Sequence, residues 1–382
     1  MHKGAILSIA VNVCRLLLAL TFLLSGFLKA NDPLGTVYKF EDYLAALGIH
    51  GAPQWCLLFT AIALATFEVT LGTHLLFGMH RRKTSVITFI TMTLMTLITV
   101  YIYIFDPVSD CGCFGDAIIL TNGQTLGKNI ILLAAAAAAL KWHRLQKRAV
   151  MRWMMWPMGM TAIVTTFIFS TSCVYHLPLI DFRPYSIGTN LRTAVQTGGS
   201  ERPEFKVTLI YEKDGQKKEI SIDDPEPDST WTYTETRREL IKGSLNMPIS
   251  SFSITDAQRD EDMTESLLEH NGYTFVVTLP IISEADEGCI GDINELCDYA
   301  GQNGDQFIVL TASEEEEQER WREDTGALYR FYKTDERELK TMVRANPGLI
   351  LLHDGVIIRK WSNWQLPEPE EIESIKQHTL TN

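Results

Sequence analysis

The sequence predicts a two-part fold: a membrane all-α helical bundle of about five transmembrane helices, then a soluble α/β domain with a small β-rich insertion. Three observations predict it. First, composition changes sharply near residue 176 of the 382-residue chain: residues 1–176 hold 13 Lys/Arg against 7 Asp/Glu, whereas 177–382 hold 21 against 40. Second, the first part contains five apolar stretches long enough to cross a bilayer, which takes roughly 20 residues. Third, the later part alternates strand-like and helix-like patterns and closes on a hairpin signal. The expected boundaries are 1–176 for the membrane domain, 177–245 for a linker and small β-rich region, and 246–382 for the α/β domain. The acidic soluble half argues against nucleic acid as a partner, because phosphate repels it. Seven cysteines are too few and too scattered for a disulfide scaffold.

The expected spans are Ile6–Leu28, Ala52–Met79, Thr84–Phe105, Leu126–Trp142 and Trp153–Tyr175. The first is too long for the apolar core of a cleavable signal and reads as retained. Loop charges orient the bundle. Residues 80–83 supply Arg81, Arg82 and Lys83, and residues 141–152 supply Lys141, Arg144, Lys147, Arg148 and Arg152, whereas loops 29–51 and 106–125 carry few bases. The positive-inside rule then places the N-terminus in the cytoplasm and everything after Tyr175 on the opposite side. Trp142, Trp153 and Trp156 fall where an interfacial aromatic belt belongs. The expected location is a bacterial inner membrane, with a periplasmic C-terminal domain. A fourth stretch that failed to span would reverse that side.

The loop between the third and fourth spans contains Asp110-Cys-Gly-Cys-Phe-Gly115. Cys111 and Cys113 are separated only by Gly112, which gives the backbone freedom a tight thiol ring requires. Gly115 permits a second sharp turn. Disulfides persist on the oxidising side of a membrane, and thiolate attack drives their exchange. Asp110 and Asp116 would oppose a thiolate. Three readings stand: a redox-active or structural disulfide, a soft-metal site, and two unreactive thiols in a turn. The metal reading lacks neighbouring S or N ligands, and no metal is assigned.

Inside the membrane, counting along the spans puts Arg15 and Glu68 at similar depth, so a salt bridge between them is expected. It serves as a lock between helices or in a proton or quinone role. His74 could extend it. Cys56 and Cys173 fall near the outer ends of their spans, where they would form a relay to Cys111 and Cys113, or else simply pack as small residues. Cys14 lies too deep and toward the wrong side to join.

The hexapeptide after a third span resembles the MauE branch of the DoxX/MauE membrane proteins. Arg15, the run Phe22 to Lys29, Asp32-Pro33, then Glu68, Leu71-Gly72 and Gly78 carry the likeness further, over about residues 6–145. The resemblance implies a four-helix redox-associated membrane module. Some members are linked to disulfide formation during maturation of periplasmic enzymes, others to quinone-linked respiratory complexes. Quinone is therefore the cofactor left open. The fifth span and the C-terminal region lie outside this pattern.

Residues 177–205 read as an extended linker, followed by strands at Phe205–Tyr211 and Lys217–Ile222 around Lys213-Asp-Gly, and another from Trp231. Further on, strands are expected at 251–254, 273–279, 307–311, 328–332, 349–353 and 356–361. Helices are expected at 292–302, 314–324, 336–344 and after Pro369. Asp354-Gly355 joins the last two strands. This order resembles the thioredoxin-like fold in its membrane-tethered thiol–disulfide branch. The segment Asn346 to Gly355 carries the likeness, with Pro347 at the family's cis-proline position, and Ile249–Thr255 matches its first strand. The family's Cys-x-x-Cys is missing. Cys289 falls at the second cysteine and Asp286 at the first. Cys297 lies eight residues further on, about 12 Å by helical rise if both are helical and too far to bond. The domain is then either a degenerate binding module or a single-thiol partner of Cys111 and Cys113.

Two functions follow. One is an inner-membrane component of periplasmic thiol–disulfide exchange, acting through Cys111 and Cys113 with Gly112, Phe114 and Gly115 in support. Its partners would be periplasmic thiol proteins or respiratory components, within membrane lipid. The alternative is a non-enzymatic assembly protein whose pseudo-thioredoxin domain binds a client. A metal-handling or transport role has only the charge pair and the two thiols behind it.

Overall fold

The computed structural model describes the chain except residues 1, 50, 109–110, 119, 197–203, 214–215, 222–231, 243–251, 257–258, 260 and 381–382. It divides into two compact units, residues 1–182 and 183–382.

The first unit is helical. α1 (His2–Asn31), α2 (Pro33–Ala46), α3 (Gln54–Phe77), α4 (Arg81–Phe105), α5 (Asn122–Lys141) and α6 (Met155–His176) follow in order. All but α2 belong to the five segments long and apolar enough to cross a membrane. Phe59, Ile90, Phe105, Trp153 and Trp156 stay exposed on them, as lipid-facing side chains do. The chain is a multi-pass membrane protein.

α1 and α3 pack closely because small residues let their backbones approach. A Cβ on Gly26 would lie 2.8 Å from the Val69 nitrogen, and one on Gly72 would lie 2.9 Å from that of Leu23. α3 stops at Gly78, whose φ of +64° is left-handed. α5 starts at a capping box between Thr121 and Gln124. That cap draws the helix start back to Asn122, four residues before the expected span.

α2 departs from the sequence expectation, which treats 29–51 as a loop. Asp32 caps its first turn by accepting from the Gly35 N–H, and Pro33 occupies the first helical position. Both ends of the bundle are tied. At one end Arg81 donates to the Gln146 carbonyl at 2.6 Å, and the Lys147 N–H donates to Asn12 at 2.9 Å. At the other, Asn31 exchanges two hydrogen bonds with the backbone of Ile180, at 2.8 and 3.0 Å. The chain therefore leaves α6 at the end where α1 finishes and α5 begins.

The second unit starts with α7 (Leu191–Gln196) and the strands β1 (Glu204–Lys213), β2 (Gln216–Ser221) and β3 (Thr232–Lys242). These form a three-stranded antiparallel sheet in the order β2-β1-β3. Then come β4 (Thr255–Asp256), β5 (Glu261–Asp262), α8 (Thr264–Leu268), β6 (Tyr273–Leu279), α9 (Ile290–Asn303), β7 (Gln306–Thr311), α10 (Glu315–Thr325), β8 (Phe331–Lys333), α11 (Glu336–Met342), β9 (Gly348–His353), β10 (Val356–Ser362) and α12 (Pro369–Leu380). The main sheet runs β10-β9-β6-β7-β8-β4-β5. β6 and β7 are parallel and joined through α9, while β9 lies antiparallel to β6. This mixed sheet, ending in the β9–β10 hairpin and α12, is thioredoxin-like.

Every residue of β6 is buried, because the sheet is covered on both faces. Phe275, Val277, Leu296, Leu349 and Leu351 share one core with Trp321 and Tyr329. The hairpin turns through Asp354 and Gly355, both at positive φ, as its sequence requires.

Two expectations need correction here. The strand placed at 251–254 does not form: Ser251 lies outside the described residues, 252–254 are irregular, and pairing starts at Thr255. Nor is the start of the second unit a free linker. Tyr185 is fully buried, and the Gly188 and Ile357 N–H groups donate across to Ile357 and Thr189 carbonyls. The segment completes the edge of β10, because an exposed strand edge leaves backbone groups unpaired.

Candidate functional site

Cys111 and Cys113 sit between the end of α4 and the start of α5, and both are free thiols. Their sulfurs are 2.8 Å apart. The backbone is shaped for this. Gly112 has φ +63° and Gly115 φ +54°, and the Gly115 N–H donates to the Gly112 carbonyl at 3.2 Å. A Cβ on Gly112 would add 3.1 Å contact with Lys39 to the strain of its left-handed backbone.

Three helices hold the loop. From α1, Ser25 Oγ donates to the Cys113 carbonyl at 2.7 Å and Lys29 Nζ donates to the same oxygen at 3.0 Å. From α2, Tyr43 Oη donates to the Cys111 carbonyl at 2.7 Å. From α5, the Lys128 ammonium lies 4.2 Å above the Phe114 ring. Phe114 itself is buried. Beneath the loop Lys29 is held by Glu68, at 2.9 and 3.1 Å to its two carboxylate oxygens, and by Ser25 at 2.6 Å. Lys29 and Glu68 are both buried.

This arrangement splits the two thiols. The Cys111 thiol donating to the Cys113 sulfur pulls the Cys113 pKa down to about 6, helped by the positive charges of Lys128 and Lys29 and opposed by burial and Glu68. The same hydrogen bond, together with burial, pushes Cys111 well up. The pair is thus biased toward a thiolate at Cys113, with Cys111 as the partner that keeps its proton. A thiolate beside a thiol can attack a disulfide sulfur and then be resolved by its neighbour.

The structure corrects the intramembrane pairing. Glu68 bonds Lys29, not Arg15, and Arg15 Nη1 donates to the Lys147 carbonyl at 2.6 Å. Counting from the expected span ends makes the two depths equal, but α1 overhangs the end of α3. A Cβ on Gly78 would lie 2.4 Å from Arg15 Nη1, so Arg15 is level with the end of α3, while Gly26 is level with Ala65 and Val69. Glu68 thus faces the last turns of α1, where Lys29 stands. Lys29 is readable in the sequence as a charge next to an apolar run, but its depth depends on that overhang. Tyr43 is hidden from sequence reasoning because α2 is, and Lys128 because nothing local in the sequence places its charge over Phe114.

The expected relay is not assembled. Cys56 is exposed in the first turn of α3, and Cys173 is buried and bonded to the Leu179 backbone. Among the described residues neither sulfur contacts Cys111 or Cys113. His74 meets the Thr70 carbonyl at 2.8 Å and stacks on His80, apart from Glu68's bonds. Asp110 lies outside the described residues. No group of three or more metal-binding side chains occurs among the described residues.

In the second unit the Asn346–Pro347 peptide is cis. The Asp286 N–H donates to the Asn346 carbonyl at 3.0 Å, and Asn363 donates to the Asp286 carboxylate at 2.7 Å. Asp286 is thus wired in where the resemblance places a nucleophile. Cys289 is buried at the start of α9, and its thiol donates to the Asp286 carbonyl at 3.3 Å. Burial and the nearby Asp286 push its pKa up to about 12. Cys297 is raised too, by burial and Asp298. Neither is poised to attack, and Cys289 is not in a flexible loop that could carry it to Cys297.

Fold and site together define a redox-associated membrane protein: a multi-span bundle with a paired-thiol loop, followed by a thioredoxin-like domain. Residues 7–141 match the family of methylamine utilisation protein MauE, so the chain carries a MauE-family domain. Residues 205–243 match a domain of unknown function, DUF8463. No curated protein matches the chain. Among solved structures, the bacterioferritin comigratory protein of Xanthomonas campestris, described for alkyl peroxide reduction, matches at 12% identity and TM-score 0.25. It covers 33% of this chain and 90% of its own. Two cysteine-to-serine mutants of Xanthomonas campestris peroxiredoxin Q match at the same identity and TM-score, covering 33% of this chain and 89% and 90% of theirs.

Proposed function

We propose that this is an inner-membrane component of periplasmic thiol–disulfide exchange, and that Cys111 and Cys113 carry the chemistry. The observation behind this reading is the 2.8 Å thiol pair in a loop pinned by donors from α1 and α2. In one direction the Cys113 thiolate attacks a client disulfide. That S–S bond breaks, a mixed disulfide forms, and the departing client sulfur takes a proton. Cys111 then loses its proton and attacks Cys113 Sγ, which frees the second client thiol and closes the Cys111–Cys113 disulfide. The reverse sequence oxidises a client. Two electrons and two protons pass in either case, so turnover needs a membrane acceptor or donor of that kind, and quinone is the class that fits. The clients are periplasmic thiol proteins or respiratory components.

The test replaces Cys111 and Cys113 by Ser and follows the thiol state of periplasmic proteins. A shifted profile, with mixed disulfides trapped by Cys111→Ser alone, is expected. An unchanged profile with no trapped adducts would end this reading. A second reading is favoured by Asp286 and the buried Cys289: the thioredoxin-like domain binds a client without doing chemistry, and the loop is only a staple. Client assembly that survives the double substitution would select it.

A further inference from the structure

Two of the cations at the thiol loop, Lys29 and Lys128, act on Cys113, and their surroundings differ. Lys29 is buried against both oxygens of Glu68, so its charge is already balanced. Lys128 is half-buried in the second turn of α5, and no acidic partner meets it among the described residues. Its ammonium rests on the face of Phe114, the residue that directly follows Cys113. An ammonium over an aromatic face is attracted by the ring quadrupole while keeping its full charge for other partners. Phe114 is buried, so the platform is fixed.

Resting on the thiol–disulfide reading above, we propose that Lys128, seated on Phe114, is the positioning residue that holds the Cys113 thiolate ready to attack, while the hydrogen bond between the two sulfurs sets which of them that is. Lys29 and Ser25 fix the Cys113 carbonyl; Lys128 supplies a charge that no acidic side chain among the described residues balances. The other groups acting on the pair are Tyr43 from α2 and Glu68 from α3, and Lys39 of α2 lies against Gly112 between the two cysteines. The aromatic of the Cys-Gly-Cys-Phe-Gly motif thereby gains a chemical role, because it holds a cation beside its neighbouring thiolate.

The test uses the full-length reduced protein in detergent. The rate of iodoacetamide alkylation is followed against pH, and mass spectrometry identifies which cysteine reacts. Wild type should react first at Cys113. Lys128→Met should move the midpoint up by about one pH unit, the size of shift a nearby opposite charge produces. Lys128→Arg should keep the midpoint low, and Phe114→Leu should move it part of the way. A Lys128→Met midpoint equal to wild type overturns the proposal. So does an equal rise in Lys128→Met and Lys128→Arg, or first alkylation at Cys111. Exchange of the wild-type pair with a small aromatic disulfide is measured separately. Its absence sinks the thiol–disulfide reading, while the midpoints still decide the role of Lys128.

Discussion

Lys29 and Glu68 are a buried pair whose two members cannot be removed singly without leaving a charge in a dry site. Lys29→Met should destabilise the first unit by roughly 3–5 kcal/mol, as broken buried pairs do, and the double variant with Glu68→Met should recover most of it. Thermal unfolding in detergent measures both. Recovery is expected because the pair stabilises by geometry rather than by net energy. At the same scale, the depressed Cys113 pKa fixes a pH window. A thiol at about 6 stays mostly ionised above that pH and loses reactivity tenfold per unit below it. Cys289, at about 12, is protonated throughout the neutral range. Labelling at pH 7 should therefore modify Cys113 first and spare Cys289 until the domain is unfolded, when Cys289 reacts as well. Mass spectrometry reads the difference, and early labelling of Cys289 would show that its burial is not what protects it. For the two thiols, residue identity is readable in the sequence. Their asymmetry is not, because it arises from a hydrogen bond and from charges on α1 and α5 that only folding brings to the loop.

At the scale of elements, close packing of α1 on α3 depends on the absence of side chains at Gly26 and Gly72. Gly26→Leu should separate the helices and carry Lys29 away from Glu68, lowering the unfolding temperature and weakening the hold on Cys113. In the second unit, a Cβ on Gly348 would meet Val343 at 2.6 Å and Thr278 Oγ1 at 2.9 Å. Gly348→Ala should cost about 1–3 kcal/mol, the usual range for overpacking, read as a lower denaturant midpoint. The elements themselves are largely legible in the sequence. β6 falls at the residues its apolar run marks, and the β9–β10 hairpin turns at its Asp-Gly signal. α2 escapes because its composition is mild and it is too short to span, although Asp32-Pro33 is a usable start signal. The start of the second unit escapes for a related reason. Tyr185 and Gly188 make an edge contact that no local periodicity announces.

For the whole membrane unit, parity decides what the site can meet. The basic loops are stapled together at one end, where Arg81, Gln146, Lys147 and Asn12 interlock. The thiol loop, the caps of α2 and α5, and the exit from α6 at Ile180 share the other. Five spans connect these ends in alternation. The positive-inside rule predicts that the stapled end faces the cytoplasm, and on that prediction the thiol pair faces the oxidising side. A membrane-impermeant maleimide applied to intact spheroplasts should label Cys111 and Cys113 after mild reduction. A cysteine introduced by Lys83→Cys should stay unlabelled until the cells are opened. The opposite pattern would put the pair in a reducing compartment, where glutathione keeps thiols open and a standing disulfide cycle has no oxidant. Because both sites lie on one chain and are scored in one experiment, poor labelling efficiency cannot imitate the reversal.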